Sequence, residues 1–145
     1  MNTVRIKKLT ATATTPTYGS EEAAGCDLYL DASEAVTIPP HTTVLVHTGI
    51  AMEIPDCFVG LVYARSSLAL KRNLAPANKV GVIDSDYRGE IMVPLYNQGE
   101  IEQVLKPQER IAQLIITPYY QAEFVEVEDL SITNRNQGGF GSTGR

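Results

Sequence analysis

The chain has 145 residues, 43% of them apolar and 20% charged, which suits one soluble globular domain with a sizeable core. A formal charge of -5 excludes a general nucleic-acid coat, which rests on a basic surface, so any phosphate ligand has to be held locally. No long apolar run exists and the basic start has no apolar signal core, so a cytoplasmic address without a membrane partner is the expectation.

In chain order the predicted elements are short and β-like. Residues 4–9 read as a first strand, and 10–22 as a polar loop broken by Pro16 and Gly19. Strands follow over 24–30, over 36–38 ended by Pro39 and Pro40, over 43–54 with a bulge at Gly49, and over 58–63. The one helix spans 67–72 and ends before Pro76. Residues 78–91 read as a hairpin, whose apolar arms 80–83 and 91–93 flank a turn carrying Asp84, Asp86, Tyr87 and Gly89. Later strands are expected over 91–96, 101–105, 111–117 and 124–127. Many short strands with one helical turn predict an all-β, jelly-roll-like barrel occupying residues 1–134, followed by a mobile glycine-rich tail over 135–145 within the same single domain.

Several stretches carry more chemistry than their local structure needs. The turn after Ile83 requires one small polar residue and Gly89, yet it holds two carboxylates at spacing two, which share a face on an extended path, beside an aromatic ring. At Arg65-Ser66-Ser67 a strand gives way to a helical turn, so a guanidinium and two hydroxyls meet the first free N–H groups; a plain serine cap with a surface arginine explains the same residues. Gln113 interrupts an apolar strand and needs amide partners. Asp27 sits between Cys26 and Leu28 on a half-buried strand. In the tail, Phe140 lies among Gly138, Gly139, Gly141 and Gly144 downstream of Arg135, an arrangement able to close over a flat anionic ligand. Cys26 and Cys57 are too few for a disulfide framework and, with His41 and His47, form no zinc-like cluster; both read as reduced and structural.

Taken together, these blocks resemble the trimeric dUTP diphosphatases. The resemblance is carried by Ala24-Gly25-Cys26-Asp27-Leu28, Arg65-Ser66-Ser67-Leu68-Ala69, the run from Gly81 to Ile91, Arg110-Ile111-Ala112-Gln113-Leu114, and Arg135 with Gly138-Gly139-Phe140-Gly141-Ser142-Thr143-Gly144. It implies hydrolysis of dUTP to dUMP and pyrophosphate, which limits uracil in DNA and supplies dUMP for thymidylate synthesis. It further implies a homotrimer with shared sites, and Mg²⁺ held mainly by substrate phosphates.

By the same resemblance, Asp84 activates the water that attacks the α-phosphorus. Tyr87 packs on the deoxyribose and excludes a 2′-hydroxyl, and Asn78 with hairpin main chain at Gly81 and Val82 reads the uracil edge. Arg65, Ser66, Ser67 and Gln113 contact the triphosphate or the water, and Asp27 reaches the metal through water. Arg135 with Ser142 and Thr143 clamps the γ-phosphate, Phe140 covers uracil, and Gly141 belongs to the substrate-binding set. Ser67 stands where many members have glycine, which alters the approach of backbone to phosphate. The dCTP deaminases are the enzymatic alternative, but they place a catalytic glutamate roughly where this chain has Pro94. A non-catalytic nucleotide-binding regulatory module is the alternative from another class.

Overall fold

Alternation decides which side of each strand faces inward. Along Glu90–Asn97 every second residue is buried, so Ile91, Val93, Leu95 and Asn97 point to the core while Met92, Pro94 and Tyr96 stay partly exposed. The computed structural model describes residues 3–139. Its strands are β1 (Arg5–Lys8), β2 (Thr17–Tyr18), β3 (Cys26–Tyr29), β4 (Val36–Ile38), β5 (Thr43–Glu53), β6 (Phe58–Tyr63), β7 (Leu74–Pro76), β8 (Gly81–Ile83), β9 (Glu90–Asn97), β10 (Gln103–Leu105) and β11 (Arg110–Pro118). One sheet runs β1-β5-β9-β7, a second runs β2-β3-β11-β6-β8, and β10 pairs with β4 as a short ribbon, all antiparallel. Leu28, Leu30, Ile50, Ile54, Val93, Leu95, Ile111 and Leu114 fill the space between the layers. This is the expected jelly-roll-like β architecture with one short helix.

That helix, α1 (Ser66–Arg72), starts one residue earlier than expected and buries Leu68. It stops at Asn73, which takes the left-handed conformation (φ 53°) and donates its N–H to the Leu68 carbonyl. Arg72 fixes the helix to β10 and to the turn before β11 by donating to Gln103 Oε1 at 2.9 Å, the Val104 carbonyl at 2.7 Å and Glu109 Oε1 at 2.5 Å. The bulge at Gly49 is present: β5 loses register with β9 between His47 and Ala51, and Gly49 has φ 63°. Among the described residues β1 is an edge strand, paired only with β5 and exposed along its length.

Two expectations are corrected. The arms of residues 78–91 do not pair with each other: β8 pairs with β6, β9 pairs with β5 and β7, and residues 84–89 therefore cross from one sheet to the other. The turn survives, closed by the Tyr87 N–H donating to the Asp84 carbonyl at 3.2 Å, but it joins layers rather than two partners. Residues 124–127 form no strand; they lie exposed along with all of 119–137, because no strand among the described residues pairs with them.

Candidate functional site

The β3–β11–β6 ladder sets Asp27 opposite Gln113, and Gln113 opposite Tyr63, so these residues stand in one row across the sheet. Just past Tyr63 the chain leaves β6 and delivers Arg65 and Ser66 to the same end. Arg65 donates from Nε to Asp27 Oδ1 at 2.7 Å, and Arg110 donates from Nη1 to Asp27 Oδ2 at 3.2 Å. The Asp27 side chain is only 12% exposed. A carboxylate that deep costs several kcal/mol in lost hydration unless it is paired, and two guanidiniums meet that need. The trio carries one net positive charge at the wall of a pocket of about 230 Å³ lined further by Gly25, Ser66 and Gln113. Such a wall suits a phosphate chain.

Gln113 uses its amide in the same pocket. Nε2 donates to the Ala64 carbonyl at 2.8 Å, pinning the start of the 64–66 segment, and Oε1 lies against Gly25. A Cβ on Gly25 would sit 2.7 Å from that oxygen, so only glycine fits there without displacing the amide. The plain reading of Arg65 as a surface arginine beside a serine cap does not hold. Arg65 itself is the cap residue of α1, makes no side-chain cap bond, and directs its guanidinium into the ion pair; its Nη1 also lies 3.4 Å from Ser67 Oγ, where it donates. Both serines are exposed on the first turn.

Asp84 and Tyr87 form a second cluster. With Val82, Ile83, Glu90, Leu45 and Met92 they line a separate pocket of about 210 Å³. The Tyr87 ring folds back over Gly89, whose backbone it approaches so closely that an added Cβ would lie 2.6 Å from ring carbon Cζ. Its hydroxyl donates to the Glu90 carbonyl at 3.0 Å. Arg88 braces the turn from outside, donating from Nη1 to the carbonyls of Ser85 at 2.6 Å and Tyr87 at 3.1 Å. Asp84 and Asp86 both face solvent. Asn78 lies on the 77–80 turn ahead of Gly81, close enough that its Nδ2 would meet a Gly81 Cβ at 3.3 Å.

The structure thus brings together Asp27, Arg65, Ser66 and Gln113 at one place, and Val82, Asp84 and Tyr87 at another, without merging the two. Arg135 reaches neither pocket: it donates from Nε to the Gly138 carbonyl at 2.8 Å within a local turn. Phe140, Gly141, Ser142 and Thr143 lie outside the described residues. Cys26 is buried, and burial pushes its thiol pKa up from 9.0. It donates to the Leu114 carbonyl at 3.4 Å, in keeping with a structural thiol.

Sequence reasoning missed the place of Arg110 in the site. Counted back from Gln113 at period two, Arg110 falls on the opposite face, but the ladder slips between Arg110 and Ala112 and returns its guanidinium to Asp27. Only the extra residue of a bulge, invisible in the local pattern, carries that information.

Among the described residues no group of three or more His, Cys, Asp or Glu side chains is placed to hold a metal ion. A dUTPase family profile matches residues 11–144. The chain is 44% identical over 142 residues to the deoxyuridine 5'-triphosphate nucleotidohydrolase of Syntrophotalea carbinolica, covering 98% of this chain and 97% of that one. It is 47% identical over 131 residues to the enzyme of the same name from Acinetobacter baumannii, covering 90% and 87%. A single-site mutant of the dUTPase of Staphylococcus bacteriophage 80alpha, solved with dUpNHpp, superimposes with a TM-score of 0.90 at 28% identity over the full length of both chains. With a profile that matches nearly the whole chain and relatives this similar from end to end, the chain belongs to the dUTPase family.

Proposed function

We propose that the protein hydrolyses dUTP to dUMP and pyrophosphate, with Asp84 taking a proton from the water whose oxygen attacks the α-phosphorus. The observation that carries this reading is a solvent-facing carboxylate held on a closed turn beside Tyr87, at a pocket of about 210 Å³. As the water oxygen bonds to the α-phosphorus, its proton passes to the Asp84 carboxylate and the bond to the bridging oxygen breaks, releasing pyrophosphate. Tyr87, held over Gly89, supplies a flat wall for a deoxyribose and leaves no space for a 2′-hydroxyl. Asn78 and the main chain at Gly81 and Val82 read the uracil edge, since an amide with backbone groups matches its donors and acceptors.

Arg65, Ser66, Ser67 and Gln113 hold the triphosphate. With both Asp27 oxygens engaged by arginines, the described residues form no dedicated cage, and they fit a Mg²⁺ ion that the phosphates would mainly carry and that Asp27 would reach through water. When bound, the ion draws charge from the phosphate oxygens. Arg135 with Ser142 and Thr143 clamps the γ-phosphate, Phe140 covers the base, and Gly141 belongs to the substrate-binding set. Pro94, paired with Leu45 inside β9, offers no proton-transfer group where a deaminase would need one.

The reading includes more than one chain, and the strand register supports this. Ile83 pairs with Gly60, whereas Asp27 lies level with Tyr63, three strands away. At ~3.3 Å per residue along a strand and ~4.8 Å between strands, the two half-sites are about 17 Å apart. A base acting through one water has to stand beside the phosphorus it serves, so this separation favours a site that takes its arginine pocket and its Asp84 turn from different chains. A homotrimer in which each site joins the turn of one subunit to the arginine pocket of another provides such a site. The exposed apolar residues of the 119–132 segment, with Phe124 at 95% and Ile132 at 90% exposure, support packing on neighbouring subunits. A cytoplasmic location and a role in supplying dUMP go with this reading.

The test is a product assay with dUTP, dCTP, dTTP and UTP offered separately. Pyrophosphate and dUMP from dUTP alone are expected, and Asp84→Asn is expected to lower kcat by about 10² to 10⁴ with KM little changed. Normal turnover in that variant would remove Asp84 from the mechanism.

A further inference from the structure

The reaction turn has an anchor that the proposed chemistry does not use. Glu90, the residue after Gly89, projects its carboxylate toward the β5 bulge: Oε1 accepts the Gly49 N–H at 2.8 Å, and Oε2 lies 2.9 Å from His47 Nδ1. Its side chain is 21% exposed. The same residue's main-chain carbonyl accepts the Tyr87 hydroxyl. Glu90 is thus the one residue of this pocket that is bonded on one side to the ring facing the nucleotide and on the other to a separate strand.

The bulge is a firm support. The Gly49 carbonyl accepts the Leu9 N–H at 2.8 Å, Thr48 Oγ1 donates to the Ile91 carbonyl at 2.6 Å, and a Cβ on Gly49 would lie 2.8 Å from the Ala13 Cβ. The register shift between His47 and Ala51 leaves the Gly49 N–H to the Glu90 side chain of β9 rather than to a β9 backbone carbonyl. A regular β5 would offer that carboxylate no backbone donor. The extra length of the bulge therefore has a local use, which is to hold the first residue after the turn.

We infer that Glu90 is a positioning residue: by clamping the start of β9 to the Gly49 bulge and His47, it sets where Tyr87 stands and so how strictly the pocket separates deoxyribose from ribose. This rests on the proposed role of Tyr87 as the sugar wall. Without the carboxylate, the Glu90 carbonyl that holds the hydroxyl is free to shift, and the ring gives way to a 2′-hydroxyl.

The experiment measures kcat/KM for dUTP and for UTP in the wild type, Glu90→Ala, Glu90→Gln and Tyr87→Phe, with folding checked by circular dichroism. Losing a clamp of one or two hydrogen bonds should narrow the dUTP-to-UTP ratio about 10-fold in Glu90→Ala, mainly through a better KM for UTP. Glu90→Gln, which keeps an acceptor for Gly49 N–H and a donor for a neutral imidazole, should restore most of it. Glu90→Ala added to Tyr87→Phe should change the ratio little further, since both act on one hydrogen bond. Where Glu90→Ala does not fold, Glu90→Asp, a methylene too short to reach both partners, takes its place with the same expectation.

An unchanged ratio in a folded Glu90→Ala or Glu90→Asp enzyme, or a loss of dUTP and UTP turnover in equal proportion, overturns the inference. Wild-type protein that does not act on dUTP at all overturns the reading beneath it instead.

Discussion

If each site takes Asp84 from one chain and the arginine pocket from another, two dead variants should rescue each other. Asp84→Asn leaves the phosphate pocket intact, and Arg65→Ala leaves the turn intact; the two positions are well separated in one chain, with no shared partner. Mixed by co-expression at equal amounts into closed three-fold rings, a site is whole only when an Arg65→Ala chain supplies the turn and an Asp84→Asn chain supplies the pocket. Random assembly makes that so in about one site of four, giving roughly 25% of wild-type turnover per site, whereas each parent alone stays lower by about 10² or more. The assay is pyrophosphate release from dUTP at fixed total protein, with each parent and a simple unexchanged mixture as controls. Activity in the co-assembled sample no greater than the mean of the parents would show that turn and pocket work within one chain, and the separation argument would be wrong.

Further outcomes follow from the same geometry. Asp27→Ala leaves Arg65 and Arg110 facing each other without their shared counter-charge, and breaking a largely buried pair in this way should destabilise the fold by about 3 kcal/mol, read as a lower urea midpoint. Phe140→Trp introduces the only tryptophan, and its emission should change when a non-hydrolysable dUTP analogue binds with Mg²⁺; a silent signal at saturation rejects the stacked tail. Because burial raises the Cys26 thiol pKa above 9.0, the unfolded chain loses that proton first as pH rises, so this thiol's contribution is intact below about pH 9 and drains away above it. Cys26→Ser should flatten the expected fall of melting temperature at alkaline pH, and Cys57, which is exposed, should react with a thiol reagent first.

What could be read from the residues was what is decided locally. Asp84, Tyr87 and Gly89 stand out because a turn needs fewer polar groups than this one has, and Gln113 because an amide in an apolar strand must find partners, which it does at Ala64. The Gly49 bulge was legible from a glycine interrupting a long strand pattern. Partner choice was not. The arms 80–83 and 91–93 look like two halves of a hairpin, yet β8 joins β6 and β9 joins β5, each in a different sheet, and local composition does not encode which strand is the partner. β2 and β7 carry too few residues to show a period. The 124–127 run has strand-like composition but no partner among the described residues, and composition says nothing of partners. Arg110 escaped because one residue of slip reverses a face, and Glu90 because the donor it needs comes from a strand more than forty positions earlier.

The edge strand β1 bears on how the protein avoids the wrong kind of assembly. An open row of backbone donors and acceptors invites any extended chain to add on and start a fibril-like stack. Here the four residues are Arg5, Ile6, Lys7 and Lys8, so two copies meeting along this border would bring cations against cations, while Ile6 alone offers grease. Self-templating along that border is discouraged by charge.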